Sequence, residues 1–523
     1  MRPSKRISDG TQVALLAWTI LMHLTFGAQA DVTISSAATQ NMACSNGTCA
    51  PTANKAVLNV GDLETLLGSS SVTVTTTGTG VQASDIHVKS ALSWSSTNLL
   101  SLLAMRSVEI DQALTVAGQS GLTIQIGQNG TFSFGKKGNV SFANLSSQLT
   151  INGSAFTLAG DVKTLASAIA SNPSGNFALA NSYNASGDGT YMSSPVPTVL
   201  TGTFDGLGNA ISNLSIEGGT ELDSNVYQGL FAGLGTLNSL NGTIRNIGLI
   251  GANIFHVVKA KYVWSGSLVG RNCGTITNSY ATGNVKNNQK SLAGGLVADN
   301  MGIIAYSHSA ANVTGGLFGI GGLAATNEGT ISDSYSTGKI SAGSGGRGSF
   351  DEAGGLVGYN HNTIENSYAT GIVTGGDEVS AGGLAGINLG SIISSYSTGT
   401  VEGKTDSYVG GFVGNNGVKA TISFSYSIGT VVGGSGSFVG GLIGDDGAPA
   451  GSLDDTYWDT DTSGITDPSQ GAGNIANDPG ITGLTTEQFQ SGLPEGFDPS
   501  VWAEKANVID GFPYLLTNPP SKN

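Results

Sequence analysis

The stretch Ala353-Gly354-Gly355-Leu356-Val357-Gly358-Tyr359-Asn360, followed by Thr363-Ile364-Glu365-Asn366-Ser367-Tyr368-Ala369-Thr370-Gly371-Ile372-Val373, decides the fold, because it is one copy of a phrase that keeps returning. The residue after the glycine pair recurs as Leu268, Leu296, Leu323, Leu356, Leu384, Phe412 and Leu442. A tyrosine follows downstream at Tyr280, Tyr306, Tyr335, Tyr368, Tyr396, Tyr426 and Tyr457. A nearly constant step of roughly 28 residues marks one supersecondary unit stacked on itself, a solenoid rather than a compact globule. Within a unit there is no apolar stretch of helical period. Three short apolar bursts (Gly-Leu-Val-Gly, Thr-Ile, Ser-Tyr-Ala-Thr-Gly-x-Val) alternate with Gly, Asn, Ser and Asp turns. This pattern predicts an all-β parallel β-helix, with glycine at corners that need positive φ or close backbone approach. Stacking buries like on like, at roughly 1.5–3 kcal/mol per large apolar side chain.

Outward from the repeats, residues 196–457 read as the repeat β-helix. Residues 31–195 read as an N-terminal β-helical region with a lead-in and flanking helices, and residues 458–523 as an acidic C-terminal cap. Helix signals occur at Asp62 to Leu67 and at Asp161 to Ala170, where Val162, Leu165, Ala166 and Ile169 share a face and Asp161 can cap. Short alternating segments such as Val108-Glu109-Ile110 and Leu122-Thr123-Ile124 predict further coils of looser period. The end segment carries Phe489, Phe497, Trp502, Phe512 and Tyr514, suited to covering the exposed edge of a last coil. Connections between one unit's Val and the next glycine pair vary in length, as at Ser341 to Phe350, so insertions collect at one edge. That edge is where specific recognition is expected.

Charged residues are 11% of the chain and Gly supplies 80 of 523 residues, a Ser/Thr/Asn/Gly surface unlike that of an ordinary intracellular enzyme. The net charge of −15 is concentrated between Asp445 and Asp510, and its sign excludes nucleic acid as the expected partner. Residues 1–30 read as a secretory signal: Arg2, Lys5 and Arg6, an apolar centre from Val13 to Phe26, then Ala28-Gln29-Ala30 before Asp31. An uncleaved anchor is the competing reading. No later stretch approaches the length a spanning helix needs, so no integral membrane segment is expected after signal cleavage. An exported location follows, extracellular or cell-surface, with the periplasm also open. Cys44 and Cys49 are expected to close a small disulfide loop, and Cys273 is left over.

The phrase Gly-Gly-Leu-Val-Gly-x-Asn-x-x-Thr-Ile-x-Asn-Ser-Tyr-Ala-Thr-Gly resembles the GLUG motif of bacterial surface proteins. The run Gly202 to Leu214 resembles the segment that precedes such motifs, and residues 57–158 resemble part of a filamentous-haemagglutinin-type adhesin. The resemblance implies a secreted or surface-displayed solenoid acting in adhesion, with surface glycans or proteins of a host or neighbouring cell as partners. Departures from the pattern are the lack of an Asn-Pro-Asn-Gly-type secretion signature, of a C-terminal barrel and of a wall-sorting signal.

The alternative class is a polysaccharide-acting β-helix enzyme. Asp445 and Asp446 superficially match the paired aspartates of polygalacturonases, whose general acid and base sit on neighbouring coils. The companion motifs Asn-Thr-Asp, Gly-His-Gly and Arg-Ile-Lys are missing, and the five histidines are scattered. Carboxylates from adjacent coils converging in one groove would distinguish the enzyme. Asp454, Asp455, Asp459 and Asp461 fit either calcium ligands or a solvated turn, and the tyrosine column fits either core or a sugar-stacking strip. The expectation is a non-catalytic protein with no catalytic, cofactor or metal residues assigned.

Overall fold

The computed structural model describes residues 31–79, 81–237, 239–256, 262–287, 291–315, 318–344 and 351–520. The expected signal at 1–30 lies outside the described residues, as do 345–350 of the insertion quoted above. The chain is a parallel β-solenoid of about 16 turns with few short helices. Among the described residues no helix is long and apolar enough to cross a membrane.

One repeat coil shows the plan. Strands Asp351–Gly354 and Val357–Asn360 form two sides; Thr363–Glu365, Tyr368–Ala369 and Val373–Thr374 form a bent third. Each pairs in parallel register with its counterpart one coil on, as in Val357 with Ala385, Ile364 with Ile392, and Tyr368 with Tyr396. The glycine-leucine burst is therefore a corner, not a strand, and the tyrosine burst divides into two strands. Leu268, Leu296, Leu323, Leu356, Leu384, Phe412 and Leu442 are all fully buried. Their backbones are chained from coil to coil, Leu323 N to Leu356 O and Leu356 N to Leu384 O both at 2.8 Å. Ile276, Ile304, Ile331, Ile364, Ile392 and Ile422 form a second interior column.

Close backbone approach explains the glycine pair. A Cβ on Gly354 would lie 1.8 Å from Val357 O, and one on Gly355 would lie 1.9 Å from Gly383 O. Positive φ is placed elsewhere than expected. The corner after each isoleucine is left-handed at Asn278, Tyr306, Asp333, Asn366, Ser394, Phe424 and Asp455, none of them glycine. Asn and Asp tolerate that region because their short side chains bond locally.

Two ladders inside the coil had no counterpart in the sequence reading. Asn272, Asn300, Asn327, Asn360, Asn388 and Asn416 are buried in one column. Each Nδ2 donates to the next Oδ1 at 2.7–2.9 Å, and the last donates to Asp446 Oδ1 at 2.8 Å. At the left-handed corner Ser279, Ser307, Ser334, Ser367 and Ser395 each donate a backbone N–H to the next coil's serine Oγ at 3.1–3.2 Å. Buried polar groups are thus paired along the rod axis, as an interior without water requires.

The N-terminal part is built likewise, with Ile86–Val88, Val108–Ile110 and Phe132–Phe134 stacked on one side. Helix α1 (Val60–Ser69), capped by Asn59, buries Leu63 and Leu67 in this first core. Helix α2 (Val162–Ser171) has Asp161 in a capping box. It buries Val162, Leu165 and Ile169 in the second core, with Phe177 and Phe204. The cores change over at Leu158 and Ala159, and the coils continue without a break: Val140 N donates to Leu207 O, Phe142 N to Ala180 O. At the other end, stacking runs past Tyr457. Ile481–Leu484 pairs with Leu453–Asp459, and Ala472 bridges Ile443.

Candidate functional site

The tyrosine column lies on the outside of the coil, and one member differs from the expected register. Tyr280 pairs with His308, and His308 with Tyr335. Tyr306 sits two residues earlier, at the left-handed corner, 56% exposed. The 26-residue spacing from Tyr280 to Tyr306 had put it in the column; coil-to-coil pairing puts an imidazole there. Rings from Tyr280 through His308, Tyr335, Tyr368 and Tyr396 to Tyr426 stack 4.5–5.3 Å apart and nearly parallel. Burial holds His308 down at about 4, so it stacks as a neutral ring. Because ring faces cover one another, this ladder presents edges, not the faces that stack on sugars.

Beyond the stretch stacked on the last coil, the C-terminal segment from Thr485 folds along this flank. Phe489, Phe497, Trp502, Phe512 and Leu515 pack on Tyr368, Tyr396, Tyr426 and Tyr457 in a separate aromatic core. The Tyr426 hydroxyl donates to Pro513 O, and Tyr457 to Glu495 O at 2.9 Å. Tyr280, His308 and Tyr335 remain half-buried. The acidic turn serves this junction. Asp459 Oδ1 accepts from Asp461 N at 2.7 Å, and Asp459 Oδ2 accepts from Thr486 Oγ1 at 2.7 Å.

Cys44 and Cys49 face each other across the hairpin Met42–Ser45 and Thr48–Pro51 and are disulfide-bonded. Cys273 is fully buried, its Sγ 3.9 Å from Met301 Sδ, and burial raises its pKa.

The acids sit in two settings. Asp446 terminates the asparagine ladder, where an acceptor alone is needed, and also accepts from Ala448 N at 3.1 Å. Beside it Asp478 is raised to about 7, by burial and then by the neighbouring Asp446 carboxyl. Asp445 accepts from Asn415 Nδ2 at 2.8 Å on the outer face. Outward positions on one side run Arg271, Asp299, Thr326, Tyr359, Ile387, Asn415, Asp445. Across from them, Tyr227 holds the Arg271 guanidinium 5.3 Å from its ring centre and brings its hydroxyl 3.5 Å from Asp299 Oδ2. Burial raises Asp299 to about 6 and Glu352, two coils on, to about 7. Coil neighbours of Asp299 are Arg271 and Thr326, so these two carboxyls do not stand on adjacent coils.

A depression of about 390 Å³ lies on the outer face of strands Gly248–His256, Tyr280–Asn287 and His308–Gly315. Asn253, Asn284 and Asn312 cross it as one in-register row, and Phe255, Lys286 and Thr314 as a second. Asn312 Nδ2 is 3.5 Å from Asn284 Oδ1, while Asn312 Oδ1 accepts from Lys339 N at 3.2 Å. His256 Nδ1 is 3.4 Å from Glu217 O, and its Nε2 is buried without a partner. These strands lead directly into the connections of variable length, so the depression lies at the insertion edge. Nothing in the sequence reading singled out its residues, because asparagines spaced by a coil are indistinguishable from turn residues until the register is known.

Residues 352–374 match the family model of the GLUG motif. No curated protein matches the chain. Among solved structures, a crystal structure from Bacteroides ovatus, described as a candidate immunoglobulin A1 protease, is similar at 17% identity with a TM-score of 0.38. It covers 70% of this chain and 92% of its own. The molecule is a β-solenoid that carries the GLUG motif.

Proposed function

We propose that this is an exported, surface-interacting rod that works in adhesion without catalysis, and that it recognises glycans at the insertion edge. The observation that carries this reading is the depression: a concave site of ligand size, lined by three amides, one hydroxyl and the Phe255 ring, on a scaffold locked by ladders. Rigid repeats holding a site of variable surroundings suit recognition. The test is a glycan-binding screen on the chain from Asp31, with reducing-sugar and unsaturated-product release followed in parallel. Binding without turnover supports the reading; turnover of any polysaccharide overturns it.

A further inference from the structure

We infer that the insertion-edge depression takes the carboxylate-bearing unit of an acidic glycan, a uronic- or sialic-acid-type sugar. The inference rests on the glycan-binding reading and narrows its ligand. The first observation is charge. The chain has 36 acidic residues against 21 basic ones, yet no acid lines this depression. Lys286 lines it, and its in-register neighbours on the two adjoining coils are Phe255 and Thr314. No carboxylate of the described residues pairs with Lys286, so its charge is available to an anion.

The second observation is the donor set. Three amide side chains stand in a row at the spacing of adjacent coils, roughly 4.8 Å. Asn312 has its oxygen engaged by Lys339 N, which turns its NH₂ toward Asn284 and the depression. His256 also lines this space, and its Nε2 is buried and unpartnered. A buried polar atom without a partner is costly unless a ligand or water supplies one. The third is the Phe255 ring, an apolar platform beside the cation, which fits a pyranose with one hydrophobic face and one charged substituent. A row of amides beside a row that carries the aromatic ring and the ammonium matches an acidic sugar better than a neutral one.

Calorimetric titration of the chain from Asp31 tests this with oligogalacturonate and sialyllactose as acidic probes, and oligogalactose and lactose as their neutral counterparts. The expected result is binding of an acidic probe that weakens with added salt and falls tenfold or more in Lys286→Gln and in Phe255→Ala. Lys404→Gln, a charge change elsewhere on the rod, leaves affinity unchanged. The two acidic probes separate a uronate from a sialate. Equal binding of neutral probes, with Lys286→Gln inert, overturns the acidic-sugar inference while the glycan-binding reading stands. Binding to no probe, together with an empty glycan screen, overturns both. Unchanged melting of each variant confirms that a lost signal is not lost fold.

Discussion

Replacing Asn360 by Ala tests whether the internal asparagine ladder holds the rod together. Asn360 donates to Asn388 Oδ1 and accepts from Asn327 Nδ2, both at 2.8 Å, and is fully buried. The substitution removes two inter-coil bonds, each worth about 1 kcal/mol net. It also strips one amide proton of Asn327 of its acceptor, in a place water does not reach, at about 1–3 kcal/mol. Asn327 keeps its bond to Thr363 O at 3.1 Å, and Asn388 Oδ1 keeps Gly390 N at 3.2 Å, so neither neighbour is wholly orphaned. The sum is about 3–5 kcal/mol, felt locally, because each coil touches only its neighbours. Native-state hydrogen exchange is the appropriate assay, since a long repeat array does not unfold in one step. At tenfold per about 1.4 kcal/mol, peptides over Leu323–Asn327, Leu356–Asn360 and Leu384–Asn388 exchange on the order of 100-fold faster or more. Peptides near Leu268 change little. Asn362→Ala, at an exposed position two residues past the ladder, is the control. If Asn360→Ala leaves exchange within threefold of wild type, the ladder does not stabilise the rod and this reasoning fails.

Three further outcomes are expected. Leu356→Asp places a charge in the fully buried corner column and strongly destabilises the fold; unchanged thermal unfolding would mean the column does not carry stability. Trp502→Ala, removing a side chain packed on Tyr426 and Phe497, costs about 3–5 kcal/mol and releases the C-terminal segment, read as new proteolytic cuts after Thr485 with the coils intact. Asp478 has its folded pKa raised from 3.8 to about 7, so the folded chain holds that proton more tightly than the unfolded one. The contribution of this group to stability is full below about 4 and is lost as pH climbs to about 7. Asp478→Asn, neutral throughout, therefore melts higher than wild type above that range and converges with it in acid; parallel melting curves at every pH would refute the shift.

Much of the scaffold was legible because its signals are local and periodic. The buried leucine column, the isoleucine column and the capped helix after Asp161 each follow from spacing and residue type. The tyrosine column was read one member wrong. Following tyrosines alone favoured Tyr306, but His308 stands twelve residues after Leu296 as Tyr280 does after Leu268, and the coil-to-coil register places the imidazole there. The C-terminal segment was recognisable as a cover by its aromatics, whereas its position on the flank depends on which way Tyr396 and Tyr426 point. The candidate site was least legible. Asn253, Asn284 and Asn312 are separated in sequence by whole coils, and no local rule distinguishes an asparagine that faces a ligand from one that makes a turn.

The sequence by itself determined that this chain stacks, since a repeated apolar phrase too short to bury its own side chains must bury them against copies of itself. It determined the corners too, since the glycine pair permits a backbone approach that any Cβ would block. Only the tertiary structure decided which side of each strand faces inward and which residues meet across coils. That is a matter of register, in which a shift of one residue exchanges core for surface. Asparagine therefore appears in one column as a dry internal ladder and in another as the floor of an open depression, and the difference lies in the coil and not in the residue.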